Sequence, residues 1–408
     1  MIKQNTQPSI LVRNRFAAWV GVLGLIAAGL YMLNSTTETN SSFTFTNVAK
    51  DDSGGDTGNA GSDAAISGNK DGGFAWGDIN NDGYLDLVVN TNSSSTNTRI
   101  LIADPTDPAN PVFRDSTATF CNECGSSVRE RSAILVDLNH DGYVDLIRNK
   151  HHGSDGSMAI YLNQGPAGLY HLGTNVNGDP NKIFYYADFH DGNMNTEGVF
   201  VADYNHDGWL DIIAENHNHG IDIFENPKDG SANFTGVDPS LTGLPTSASD
   251  GDYATGVDYD DDGDIDILAR KTNGPDFFVS NGDGSYQSGV EIGQGSNGNK
   301  GGVVFGDFDN DGDFDFYWSD NDINQIWLND HGTFVPTYDG SNSEPWASAG
   351  LAIPSSGIDG CAVGDVNNDG KLDLFLTDNT GTSFLFLNDT PFGGTLSFTQ
   401  ENAGIGGR

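Results

Sequence analysis

Six stretches of the chain carry oxygen-bearing side chains at one spacing, Asp-x-Asp/Asn-x-Asp-Gly-x-x-Asp. Position 1 is Asp78, Asp137, Asp203, Asp258, Asp307 and Asp365; position 3 is Asn80, Asn139, Asn205, Asp260, Asp309 and Asn367. Position 5 is Asp82, Asp141, Asp207, Asp262, Asp311 and Asp369, always followed by Gly. A sharp turn at that glycine gathers the side chains of positions 1, 3 and 5 on one side. The backbone carbonyl of position 7 (Tyr84, Tyr143, Trp209, Asp264, Asp313, Lys371) and the carboxylate of position 9 (Asp86, Asp145, Asp211, Asp266, Asp315, Asp373) complete a shell of oxygens. Six to eight hard oxygen ligands at about 2.3–2.6 Å suit Ca²⁺, whereas Mg²⁺ wants a tighter octahedron and keeps its waters. The spacing therefore predicts about six structural calcium sites. Without metal, three or four carboxylates would crowd each turn and repel one another.

An EF-hand would need a bidentate Glu at position 12 between two helices. Position 12 is Val89, Arg148, Ala214, Ala269, Trp318 and Leu376, and the flanks read as strands. The loops are predicted to join strands and to be closed by position 9.

The elements that position these loops recur with them. Loop starts are separated by 59, 66, 55, 49 and 58 residues. One apolar stretch enters each loop and a second leaves it. A third ends in Asn163, Asn226, Asn281, Asn329 or Asn388, with Asp104 taking that place in the first repeat. A fourth carries Phe113, Phe184, Phe234, Tyr286, Phe334 or Phe398. Four short strands per unit, six times over, predict an all-β fold: a β-propeller of six four-stranded blades over residues 74–408. Ser42 to Thr46 is a spare strand-like segment that would close the ring or belong to a seventh blade.

Composition narrows the partners. With Lys+Arg 18 against Asp+Glu 58, the net charge is −40, which argues against nucleic acid as a ligand. Aromatic content of 10% and 23 Phe exclude a disordered acidic tail.

Residues 16–33 form 18 uncharged, mostly apolar residues after a basic segment, residues 1–15. This is long enough for one N-terminal membrane-spanning helix with the bulk of the chain outside; a cleaved signal peptide is the other reading. Residues 34–73 read as a polar tether. Of three cysteines, Cys121 and Cys124 form a Cys-Asn-Glu-Cys element that fits a local disulfide, plain thiols, a redox pair or half a zinc site.

The units resemble FG-GAP/VCBS repeats, the calcium-binding blades of integrin α-chain propellers and many bacterial surface proteins. Trp76-Gly77-Asp78, Phe305-Gly306-Asp307 and Gly364-Asp365 carry the resemblance, while Val136, Ala202 and Val257 replace the glycine elsewhere. It implies a propeller with calcium at the matching loop positions. The family's functions are too varied to transfer with the fold.

No GxSxG, HExxH or GxxxxGK[ST] motif occurs, so no catalytic residue is assigned. The leading expectation is an exported, membrane-anchored adhesion or ligand-binding module for a glycan or protein. A polysaccharide-active lyase or hydrolase, with His217 and His219 on one strand face, is the alternative; a self-assembling subunit of a fibre or surface layer is another. His140 and His206 read as exposed filler. Arg114, Arg129, Arg131, Arg148 and Lys150 form a basic patch for an anionic ligand or for local ion pairs. The connections 104–131 and 332–359, the latter with Trp346, are the expected ligand-binding loops.

Overall fold

A computed structural model describes residues 73–401, apart from 91–97, 105–111, 122–129, 151–157, 166–169, 173–195, 217–219, 247–252, 272–273, 292–301, 320–323, 337–350, 352–357 and 379–381. The apolar run 16–33, the tether 34–72, the segment 42–46, Cys124, Phe184, His217, His219, Arg129 and Trp346 therefore lie outside the described residues. The fourth strand of the second sheet is Tyr170–Leu172, ahead of the stretch expected to carry Phe184. Among those described, no helix is long and apolar enough to cross a membrane.

The described chain is all-β, with two four-residue helices, Thr117–Phe120 and Pro239–Thr242. Its 24 strands form six four-stranded sheets, each antiparallel and in simple chain order. They span residues 74–115, 130–172, 196–236, 254–291, 303–336 and 358–401. Each acidic loop joins the first strand of a sheet to the second, as in Phe74–Gly77 and Asp86–Val89. The first strand residue after every loop is the position-9 aspartate.

The apolar runs of sheets two to five are buried on both faces because each of these sheets is packed between two neighbours. Adjacent residues of a strand point to opposite faces, and the cores divide accordingly. Ile212 of the third sheet packs with sheets one and two, and Ile213 with sheet four. Ile267 and Leu268 of sheet four split between sheets three and five. Phe316 of sheet five faces sheet four, and Tyr317 faces sheet six. Two further clusters line the far faces of the end sheets: Leu87, Val89 and Leu101 on the first, Leu385 and Leu387 on the sixth. Val89 and Leu101 are fully buried, and Leu385 is 1% exposed.

Amide side chains stitch neighbouring sheets. Asn163 Nδ2 donates to the carbonyl of Ile79, 2.9 Å away in the preceding loop, and also to Val144. Asn226 does the same to Leu138, Asn329 to Tyr259 and Asn388 to Phe308. Two expected members of this series are displaced. The backbone N–H that meets the position-9 carboxylate belongs to Ala103 in the first sheet and Ser280 in the fourth, so Asp104 and Asn281 stand one residue past the place. Asn281 instead turns its amide to Ser285 Oγ at the surface.

Candidate functional site: the acidic loops

Each loop is built by backbone N–H groups donating to its own carboxylates. In the first, Asp78 accepts from Asp82 and Gly83, and Asp82 accepts from Tyr84. The sixth repeats this with Asp365 and Asp369. Position-6 glycines lie at φ 88–107, a conformation that strains any residue with a β-carbon. Position 4 is also left-handed and is filled by Asn, His or Asp, the residues that tolerate it best.

Position 9 is more than a rim ligand. Asp86, Asp145, Asp266, Asp315 and Asp373 each use one oxygen for the N–H of position 2 and the other for the end of the third strand. The buried carboxylate thus ties loop to sheet. Burial pushes its pKa to about 6 in Asp86 and about 7 in Asp145, Asp211, Asp266 and Asp315, with the backbone hydrogen bonds opposing the rise.

Loops four and five are the most acidic. Carboxylate oxygens of Asp258, Asp260 and Asp262 lie within 4.8 Å of one another, as do those of Asp307, Asp309 and Asp315. Burial, then the charge of Asp311, raises Asp309 to about 6. Asp258 Oδ1, Asp309 Oδ1 and, in the third loop, Asp211 Oδ2 are buried and meet no hydrogen-bond donor. An acceptor so placed is costly, and a proton or a cation would satisfy it. The donor set is all oxygen, which fits a hard divalent ion.

Position-7 and position-4 side chains do a job the spacing did not reveal. His140 stacks on Trp209 of the next loop with centroids 4.2 Å apart, and His206 Nε2 pairs with Asp264. Asn81 Nδ2 reaches Gly142 O at 2.9 Å. These residues bridge consecutive loops and are not filler. Lys228 Nζ lies 2.5 Å from Asp207 Oδ2.

The expected basic patch does not hold as a unit. Arg148 is 1% exposed, with its guanidinium over the Tyr161 ring and Nη1 3.1 Å from the Tyr161 hydroxyl. Burial against an aromatic takes it away from any ligand; Arg114 remains at the surface. Cys121 is disulfide-bonded, which favours the bridge among the readings of Cys-Asn-Glu-Cys. Cys361 is a free thiol that burial pushes up to about 12. Beside the third loop lies a groove of about 400 Å³ lined by Tyr204, Asn205, Glu225, Leu241 and Asp283.

A family model for FG-GAP-like repeats matches residues 137–214, 203–269 and 258–318, consecutive units that each run from one acidic loop into the next. No curated protein matches the chain. Among solved structures, an Agrocybe aegerita lectin described for recognition of non-reducing terminal N-acetylglucosamine aligns with TM-score 0.50 and 19% identity, over 81% of this chain and 79% of the lectin. A V. cholerae biofilm matrix protein aligns with TM-score 0.34 and 14% identity, over 71% of this chain and 40% of its own. The Photorhabdus luminescens Tc holotoxin pore aligns with TM-score 0.39 and 15% identity, over 76% of this chain and 13% of its own. Matched in succession, residues 137–318 are a run of FG-GAP-like repeats, and the six sheets are built alike.

Proposed function

We propose that this chain is a calcium-binding β-propeller of six blades that acts outside the cell, anchored by its N-terminal segment, as an adhesion or ligand-binding module. The observation that carries the calcium reading is the set of buried carboxylate oxygens without donors at Asp211, Asp258 and Asp309, inside turns whose other ligands are all oxygen. Residues at positions 1, 3, 5 and 9 would hold each ion with the position-7 carbonyl. Bound calcium supplies positive charge that fixes the turn between the first two strands of each sheet. Burial of the far faces of sheets one and six supports closure of the six into a ring.

A glycan or protein is the ligand class this reading favours. The fold shared with a lectin supports trying glycans first. The groove beside the third loop offers a tyrosine ring, an amide and carboxylates, groups suited to a hydroxyl-rich ligand. Calorimetric titration of the chelated protein is expected to show uptake of several calcium ions. Added calcium should raise the melting temperature strongly, since each site at a hundredfold excess over Kd adds about 2.7 kcal/mol of stability. A glycan and matrix-protein array with product analysis then separates binding from cleavage. Absence of calcium uptake, or released sugar fragments, would overturn the respective half of the reading.

A further inference from the structure

One side chain outside the acidic spacing sets the third loop apart. Lys228 lies in the turn after the third strand of sheet three at φ 60. Its N–H donates to Asn226 Oδ1, as Gly165 donates to Asn163 Oδ1 and Gly282 to Ser280 Oγ in the neighbouring sheets. Those glycines have φ 95 and 72. A lysine is disfavoured in this left-handed conformation, so its backbone gains nothing from replacing glycine. Its side chain does: Nζ reaches Asp207 Oδ2, position 5 of the loop.

The rest of the loop is rearranged around this contact. In loops one, two and six the same position-5 oxygen accepts from the position-3 amide, at 3.0 Å from Asn80, 3.1 Å from Asn139 and 3.2 Å from Asn367. In loop three Asn205 turns its amide away to Glu225 Oε1, 3.2 Å distant, which also accepts from the Tyr204 hydroxyl. Glu225 stands where sheets two, five and six have Leu162, Leu328 and Leu387. The extra carboxylate draws the neutral donor off Asp207, whose Oδ2 is left without a hydrogen bond and is met instead by the charge of the Lys228 ammonium.

We propose that Lys228 is a tethered counter-cation of the third loop, holding that turn in shape without metal and making its site the last to take calcium. The ordering of sites rests on the calcium reading above. Asp211 Oδ2 keeps no donor even with Lys228 in place, so calcium entry is weakened and not barred.

The test uses the full chain. In chelator, hydrogen exchange at the Asp207 and Gly208 amides is compared with the equivalent Asp311 and Gly312 amides; all four donate to the position-1 carboxylate. We expect at least tenfold slower exchange in loop three, lost in Lys228→Gly and kept in Lys228→Arg. Lys228→Gly installs the residue that neighbouring turns already use, so the fold should persist. In calcium titration the wild type should show one site at least tenfold weaker than the others, which tightens in Lys228→Gly. Equal exchange in loops three and five of the chelated wild type, or no response to Lys228→Gly, would overturn the holding role. Six equivalent calcium sites would overturn the ordering. A chain that takes up no calcium loses the calcium reading and the ordering with it, while the exchange comparison still decides what Lys228 does.

Discussion

In the fifth loop Asp307, Asp309 and Asp315 bring carboxylate oxygens within 4.8 Å, with no lysine or arginine paired to the turn among the described residues. In the third loop the matching position 3 is an amide, and Lys228 sits on Asp207. Burial raises the pKa of Asp307 and Asp309. Burial also works against ionisation of Asp207, but the paired Lys228 ammonium and the Trp209 N–H outweigh it, and its pKa falls. The fifth loop also has its position-2 carbonyl, Phe308, clasped by Asn388 of the next sheet. The corresponding residue facing the third loop is Ser280, too short to give that clasp. Two loops with the same motif thus differ in charge and in anchoring. The charge differs through position 3 and through Lys228 in the turn after the third strand of the same sheet. The anchoring differs through a residue just past or ending the third strand of the next sheet, 80 positions away for Asn388 and Phe308.

The largest test of this contrast is Asp311→Ala. It removes position 5 of the fifth loop and leaves Asp307, Asp309 and Asp315 facing one another. Loss of one calcium and loosening of sheet five are expected, with the other sheets retained. Global unfolding would show that the sheets do not hold their sites independently.

Acidity should separate metal-free from metal-loaded protein next. Burial pushes Asp86 up to about 6 and Asp145, Asp211, Asp266 and Asp315 to about 7, above the ordinary carboxylate value of 3.8. The metal-free fold therefore binds more protons than the unfolded chain between those values. Its stability is greatest below pH 4 for these groups and is lost as pH rises through 6–7. Chelated protein should melt higher at pH 5 than at pH 7.5, and calcium-loaded protein lower, because acid expels the ion. Identical pH profiles for the two forms would contradict this assignment.

How much of this was legible in the chain beforehand follows the range of the interactions. The six loops and the four strands per unit could be read because turn geometry and apolar runs are local. Asp104 and Asn281 were misplaced by one residue because the decisive contact is a backbone N–H on a distant carboxylate. His140 and His206 read as filler because their partners, Trp209 and Asp264, lie on the next sheet. Lys228 and Glu225 belong to no motif. Aligning the repeats would have flagged them, as a lysine where the flanking sheets have Gly165 and Gly282 and a glutamate where the other sheets have an aliphatic residue.

Smaller effects test the anchoring half of the contrast. Asn388→Ala strands the carbonyls of Phe308 and Leu372, its partners at 2.9 and 3.1 Å. A cost of about 1–3 kcal/mol is expected in chemical denaturation. Ser280→Asn would add the missing clasp on the third loop and should stabilise by less than about 1 kcal/mol. A destabilised Ser280→Asn protein would mean that the seam between sheets three and four has no room for the amide.

The clasps from the third strands run in one direction, while Asn81, Asn90 and Asn149 reach forward to Gly142, Ser132 and Thr196. Asn163, Asn226, Asn329 and Asn388 each reach back to a carbonyl 70 to 88 residues earlier, whereas every strand pairing joins chain neighbours. During synthesis a sheet could therefore form from its own short-range pairings as it emerges. Each newly completed third strand would then fasten onto a loop already made. Assembly would proceed as a ratchet from the N-terminal sheet onward, without waiting for the C-terminus, and the third-to-fourth step alone among those described would close without an asparagine clasp, on apolar packing and the His206–Asp264 pair.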